Sequence, residues 1–251
     1  MASFTHYTNL GSFNFSNPMP VPEAARRRKE MSQGYVVFHD ELWFGEELLT
    51  LPMHAQARLV DFMGFHTGHN TDFIYAPHNQ AKDRLRMGQD KLRDADERLE
   101  KACFIERTGF APLKTNGNEK PTPTYRVNCV PVLGADGKYS DYGLWRVSKE
   151  PLYLTPGFFA VPVRLFHSLA WRSISYGAKL VLLMMIRASR GDDVSFFPFS
   201  PQEIVDRFNC SRSKAQRFLK ELQKEGFIYP SGNTRARLWR LNSQLPLVVK
   251  F

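Results

Sequence analysis

Cysteine is scarce. The 251 residues contain three, Cys103, Cys129 and Cys210. They have no paired spacing, which excludes a disulfide framework and fits a reducing compartment. Long apolar runs are missing too. The most apolar stretch, Leu180–Ile186, is far too short to cross a bilayer as a helix. The first residues lack the basic-then-apolar layout of a secretory signal, so a cytoplasmic protein is expected. Acidic residues are under-represented: 25 carboxylates face 34 Lys and Arg, a net charge of +9. That balance favours a polyanionic partner, and charge alone does not separate nucleic acid from an acidic membrane surface.

Catalytic constellations are also absent. His66-Thr67-Gly68-His69 lacks metal-ligand spacing and falls in a predicted loop. Gly134-Ala135-Asp136-Gly137-Lys138 is too short between its glycines for a phosphate-binding loop and reads as a hairpin turn. Cys210 falls in a turn between two helices and reads as a small buried residue rather than a nucleophile. No Ser/His/Asp set and no carboxylate pair stands out. The expectation is a binding protein and not an enzyme, with no cofactor and no metal.

What is present is concentrated in Ser200–Leu241. Ser200, Pro201 and Glu203 form a capping box before the apolar positions Ile204, Val205 and Phe208. Asn209-Cys210 interrupts. Ser211 caps a second helix with Ala215, Phe218, Leu219 and Leu222 on its buried face. Gly226 suits the residue after that helix. Phe227-Ile228-Tyr229 and Arg237–Leu241 read as two strands around a Ser231-Gly232-Asn233 turn. Helix–turn–helix followed by a hairpin is the winged-helix arrangement, whose second helix enters the major groove.

The DNA-facing candidates follow from that geometry. On the second helix they are Ser211, Arg212, Ser213, Lys214, Gln216, Arg217 and Lys220, types that reach base edges and phosphates. Arg235 and Arg237 lie where a wing would touch the backbone.

The first half repeats the pattern. Helices are predicted over 51–65, 79–85 and 88–101, with strands at Phe73–Tyr75, Phe104–Glu106 and Thr124–Val127. A shift of 123 places Asp83, Lys91, Leu99, Phe104 and Ile105 on Asp206, Lys214, Leu222, Phe227 and Ile228. The same shift places Leu42-Trp43 on Leu165-Phe166. Around the first long helix a shift of 121 is read, placing Ala57 and Leu59 on Ala178 and Leu180. The fold class expected is therefore α+β, mainly helical, with two tandem winged helix-turn-helix domains. Residues 1–33 form a flexible basic arm with Arg26, Arg27 and Arg28, suited to a minor groove. Residues 34–128 are the first domain, 129–157 a packed connector with a hairpin, and 158–251 the second domain. In the first domain Gln89, Lys91, Arg93 and the wing lysines Lys114 and Lys120 join the candidates.

The two long helices differ in charge. Residues 211–225 carry five cations against two carboxylates, net +3; residues 88–102 carry four against five, net −1. Phosphate repels carboxylates, so the second helix is the better DNA reader. The first either reads a few bases or serves as a pairing surface.

Phe159-Ala160-Val161-Pro162, Ser175–Leu180, Cys210-Ser211-Arg212, Leu219–Leu222 and Gly226-Phe227-Ile228 together resemble the winged-helix domain of bacterial plasmid replication initiators of the RepA type. The likeness covers about residues 158–241. It implies binding to repeated origin sequences, duplex opening and recruitment of host replication proteins. The leading expectation is a plasmid or mobile-element replication initiator that binds double-stranded DNA. The alternatives are a winged-helix transcriptional repressor on a palindromic operator, bound as a homodimer, and a winged-helix protein-interaction adaptor.

Overall fold

In the computed structural model the residues described are 35–39, 43, 45–65, 74–75, 77–110, 123–128, 143–145, 151–153, 158–189, 196–231 and 238–242. The first half runs β1 (Tyr35–His39), α1 (Glu46–Leu49), α2 (Met53–Phe65), β2 (Ile74–Tyr75), α3 (His78–Leu85), α4 (Gln89–Lys101), β3 (Ile105–Phe110) and β4 (Pro123–Val127). A short pair, β5 (Gly143–Trp145) and β6 (Pro151–Tyr153), follows. The second half runs β7 (Phe158–Pro162), α5 (Val163–His167), α6 (Leu169–Ser173), α7 (Tyr176–Ala188), β8 (Phe197–Pro198), α8 (Pro201–Phe208), α9 (Arg212–Lys224), β9 (Ile228–Ser231) and β10 (Leu238–Leu241). The fold is mixed helix and sheet, with small antiparallel sheets.

One shift of 123 residues carries β1 onto β7, α2 onto α7, β2 onto β8, α3 onto α8 and α4 onto α9, bound for bound. The shift of 121 read around the first long helix is thereby corrected: Ala55, not Ala57, is the counterpart of Ala178. The cause is burial. Both α2 and α7 are buried over most of their surface, so no one-sided apolar stripe fixes the register. Each half also builds the same three-stranded sheet, in the orders β2-β4-β3 and β8-β10-β9. Only the hairpins change length: Ile105 pairs with Val127, whereas Ile228 pairs with Leu241.

Local chemistry explains the second-half helices. Ser200 and Glu203 make the reciprocal capping box of α8, and Asn209 closes that helix in the left-handed region. Ser211 caps α9 by accepting from the Lys214 amide. At the other end Gly226 takes φ +73, and the Phe227 amide reaches the Leu222 carbonyl at 2.9 Å. This is the 6→1 bond of a Schellman stop.

Equivalent elements of the two halves meet in two places. α2 packs on α7, and β1 pairs antiparallel with β7. The strand register is self-symmetric. Tyr35 pairs with Pro162, the counterpart of His39, while His39 pairs with Phe158, the counterpart of Tyr35. Such reciprocity is the mark of a local two-fold axis. Beside it Phe38 stacks on Phe159 at 5.1 Å, with Trp43 edge-on at 5.5 Å. Sequence reading misses this pairing and takes residue 35 only as a domain start.

The connector hairpin expected around Gly134–Gly137, with flanks at 130–132 and 138–142, lies outside the described residues. The strands described there are β5 and β6, joined Leu144 to Leu152.

Candidate nucleic-acid interface

α9 buries Ala215, Phe218, Leu219 and Leu222 and turns Arg212, Ser213, Gln216, Arg217 and Lys220 to solvent. Lys214 is half-buried. Ser211 is exposed, but its hydroxyl is occupied by the cap and by Ser213 Oγ at 3.1 Å.

The two carboxylates of α9 do not dilute this face. Glu221 accepts from the Ser175 amide and hydroxyl, both at 2.6 Å. Glu225 accepts from Ser173 Oγ at 2.8 Å. Both are therefore turned to the corner between α6 and α7, where they anchor the helix. A Cβ on Gly177 would come within 2.2 Å of the Phe218 ring, so only glycine lets the start of α7 meet α9 this closely. Arg212, Arg217 and Lys220 enter no ion pair among the described residues.

α4 occupies the equivalent place and differs chemically. Its Arg93 lies 3.8 Å from Asp90, and Arg98 lies 2.8 Å from Asp94. Lys91 Nζ sits 5.8 Å from the centre of the Tyr176 ring. Gln89 is exposed at the helix start. Arg93 and Arg98 of α4 are thus matched by carboxylates of their own helix, while Arg212, Arg217 and Lys220 of α9 have no such partner among the described residues. The wing residues Arg235, Arg237, Lys114 and Lys120, and the arm residues Arg26, Arg27 and Arg28, lie outside the described residues. So do His66, His69 and Cys129. Burial pushes the Cys210 thiol up, away from thiolate character.

Sequence reading misses a buried charged group. Arg58 on α2 donates to Asp96 at 2.7 Å and to Asp61 at 2.9 Å, and Arg84 donates to Asp61 at 2.8 Å. His78 Nε2 lies 2.8 Å from Asp96. Burial alone would raise the Asp96 carboxyl, but the Arg58 charge and the His78 hydrogen bond outweigh it and hold Asp96 below the usual range. The counterparts of Arg58, Asp61 and Asp96 are the apolar Val181, Met184 and Leu219. The cluster is therefore specific to the first half. Arg58 and Asp61 are one helical turn apart, but Arg84 and Asp96 come from 23 and 38 residues away, which no local spacing signals.

No helix among the described residues is long and apolar enough to cross a membrane. Comparison of the chain with protein-family models, with curated proteins and with solved structures finds no match in any of the three.

Proposed function

We propose that the chain is a sequence-specific double-stranded DNA-binding protein made of two winged helix-turn-helix units, acting as a replication initiator of a plasmid or mobile element. The observation that carries DNA binding is the solvent face of α9, where Arg212, Arg217 and Lys220 stand without acidic partners beside Ser213 and Gln216. Phosphate contacts from the cations set position, and the shorter polar chains at the start of the helix reach base edges. The element order supports the winged-helix reading: in each unit a short strand before two helices joins a hairpin that follows them. The initiator role rests on the RepA-type resemblance and on the doubling of the unit. The net negative charge of α4 and the pairing of its Arg93 and Arg98 with carboxylates favour a second role for the first unit, as a surface for a protein partner.

The test is equilibrium binding to duplexes taken from the DNA flanking the chain's own gene, as a function of salt. Four phosphate contacts from Arg212, Lys214, Arg217 and Lys220 give a log–log slope of about −4, and wing contacts steepen it. Arg212→Ala or Gln216→Ala costs about 1–3 kcal/mol and relaxes base preference, while Gln89→Ala and Arg93→Ala cost less. A slope near zero removes the DNA-binding reading. Larger losses from the α4 variants assign the reading to the first unit.

A further inference from the structure

The outward face of the β8-β10-β9 sheet is unlike its counterpart. Trp239, Leu241, Phe197 and Ile228 point into the core. Arg240 points out, directly across from Tyr229 on β9. On its other side stands Phe196, just before β8, whose next residue Phe197 pairs with Trp239. The Arg240 guanidinium lies 5.4 Å from the Phe196 ring centre and 6.0 Å from that of Tyr229. Phe196 and Tyr229 stay 43% and 41% exposed as residues. One row across the sheet thus reads ring, cation, ring. Its neighbours on the same face are Pro198, Leu238 and Ser231, and none is acidic. In the first half the equivalent pair is Arg126 opposite Glu106, and those two form an ion pair. There the cation is neutralised; here Tyr229 replaces the carboxylate.

We propose that the row Phe196–Arg240–Tyr229 is a stacking platform for single-stranded nucleic acid. Two exposed rings offer π-faces to unstacked bases, and the cation between them offers one phosphate contact, the pairing that sequence-tolerant single-strand binding uses. A duplex cannot use the row, because its base faces are covered by their neighbours. The row is a separate place from the α9 reading face. Tyr229 belongs to β9, past the C-terminal stop of α9, and Arg240 to β10, so the row is built from the sheet and not from the helix. The proposal does not depend on the duplex-binding reading.

The test uses the full chain with fluorescent oligothymidylate and oligouridylate, separating DNA from RNA as the source. Wild type binds at least one of them. Tyr229→Ala lowers that affinity about tenfold, and Tyr229→Phe retains it because the ring face is what counts. Arg240→Gln flattens the salt dependence by about 0.7 of a log–log unit, the value of one single-strand phosphate. Unfolding curves of the same variants exclude misfolding as the cause, and the exposed positions of Tyr229 and Arg240 make retained folding the expectation. Two results overturn the proposal: unchanged affinity in Tyr229→Ala, or binding of an acidic tyrosine-bearing peptide with no binding of either oligonucleotide.

Discussion

Cys103 ends α4 at φ +62, where its counterpart Gly226 ends α9 at φ +73. The stop is the same in both. The Phe104 amide reaches the Leu99 carbonyl at 2.9 Å, and Asn128 Nδ2 reaches the Cys103 carbonyl at 2.9 Å. A left-handed residue with a Cβ costs roughly 1–2 kcal/mol, partly offset by the extra freedom glycine has when unfolded. Cys103→Gly is expected to stabilise the chain by about 0.5–1 kcal/mol, read as a higher urea midpoint at unchanged slope. A lower midpoint would show that the thiol makes contacts worth more than the strain. Lys179 raises a different question at the same scale. Buried, it donates to the Ile174 carbonyl, as its counterpart Gln56 donates to the Leu51 carbonyl. Burial lowers its pKa from 10.5 to about 7, against the pull of Asp61 and Glu221 and with the help of Arg86. Between those values the unfolded chain holds a proton that the folded chain does not. Stability is therefore complete above the ordinary lysine pKa, falls as pH drops toward 7, and is flat below it, with a slope near 1.4 kcal/mol per pH unit. Lys179→Gln keeps the donor and should remove that slope, measured by thermal unfolding from pH 7 to 10. An unchanged slope assigns the titration to another group.

At the scale of elements, what was legible in the sequence was what is decided locally. Ser200, Glu203, Ser211 and Gly226 announce the ends of α8 and α9, and the apolar faces of those helices are one-sided enough to fix their phase. α2 defeats that reasoning twice. It is buried over most of its surface, so its register against α7 cannot be read from period. It also carries Arg58 and Asp61 inside, where their partners come from α3 and α4. Asp96 reads as one of several surface carboxylates in sequence but is 2% exposed. β1 and β7 have no sequence signal for each other, because strand pairing at such separation leaves none. The candidate site was legible for α9, whose side chains are sorted by one helix, but not for Arg240, whose aromatic neighbours come from β9 and from the residue before β8. The buried group yields a direct expectation. Taking one partner from a buried ion set leaves an uncompensated charge, so Asp96→Asn should cost about 3–5 kcal/mol. Replacing the whole set with apolar residues, Arg58→Val, Asp61→Met, Arg84→Met and Asp96→Leu together, should recover most of that loss in chemical denaturation. If the fourfold variant is no more stable than Asp96→Asn, the charges contribute net stability and not only specificity.

At the scale of the whole molecule, one chain already has the layout of a symmetric dimer. The pairs that would be isologous contacts between two subunits, α2 with α7 and β1 with β7, are made within it. The face by which equivalent elements meet is filled. The two units are further tied where Arg86, just before α4, donates to the Ser173 carbonyl at 2.5 Å and lies 3.7 Å from Glu221 of α9. That exposed ion pair is worth little alone, so the shared core carries the association. Two-fold layout with unequal sequence has a consequence for the proposed DNA complex. A homodimer presents two identical reading helices and imposes an inverted repeat, because site symmetry mirrors protein symmetry. This chain presents α9, whose Arg212, Arg217 and Lys220 have no acidic partner among the described residues, and α4, whose Arg93 and Arg98 are paired with Asp90 and Asp94. A single copy should therefore occupy an asymmetric site, with its footprint centred on the groove held by α9, and such sites can repeat head to tail as an origin requires. Footprinting combined with the mass of the complex decides it. One chain per asymmetric site supports the initiator role. Two chains on one palindrome would place two α9 helices in the grooves, sink the single-chain arrangement and favour a repressor.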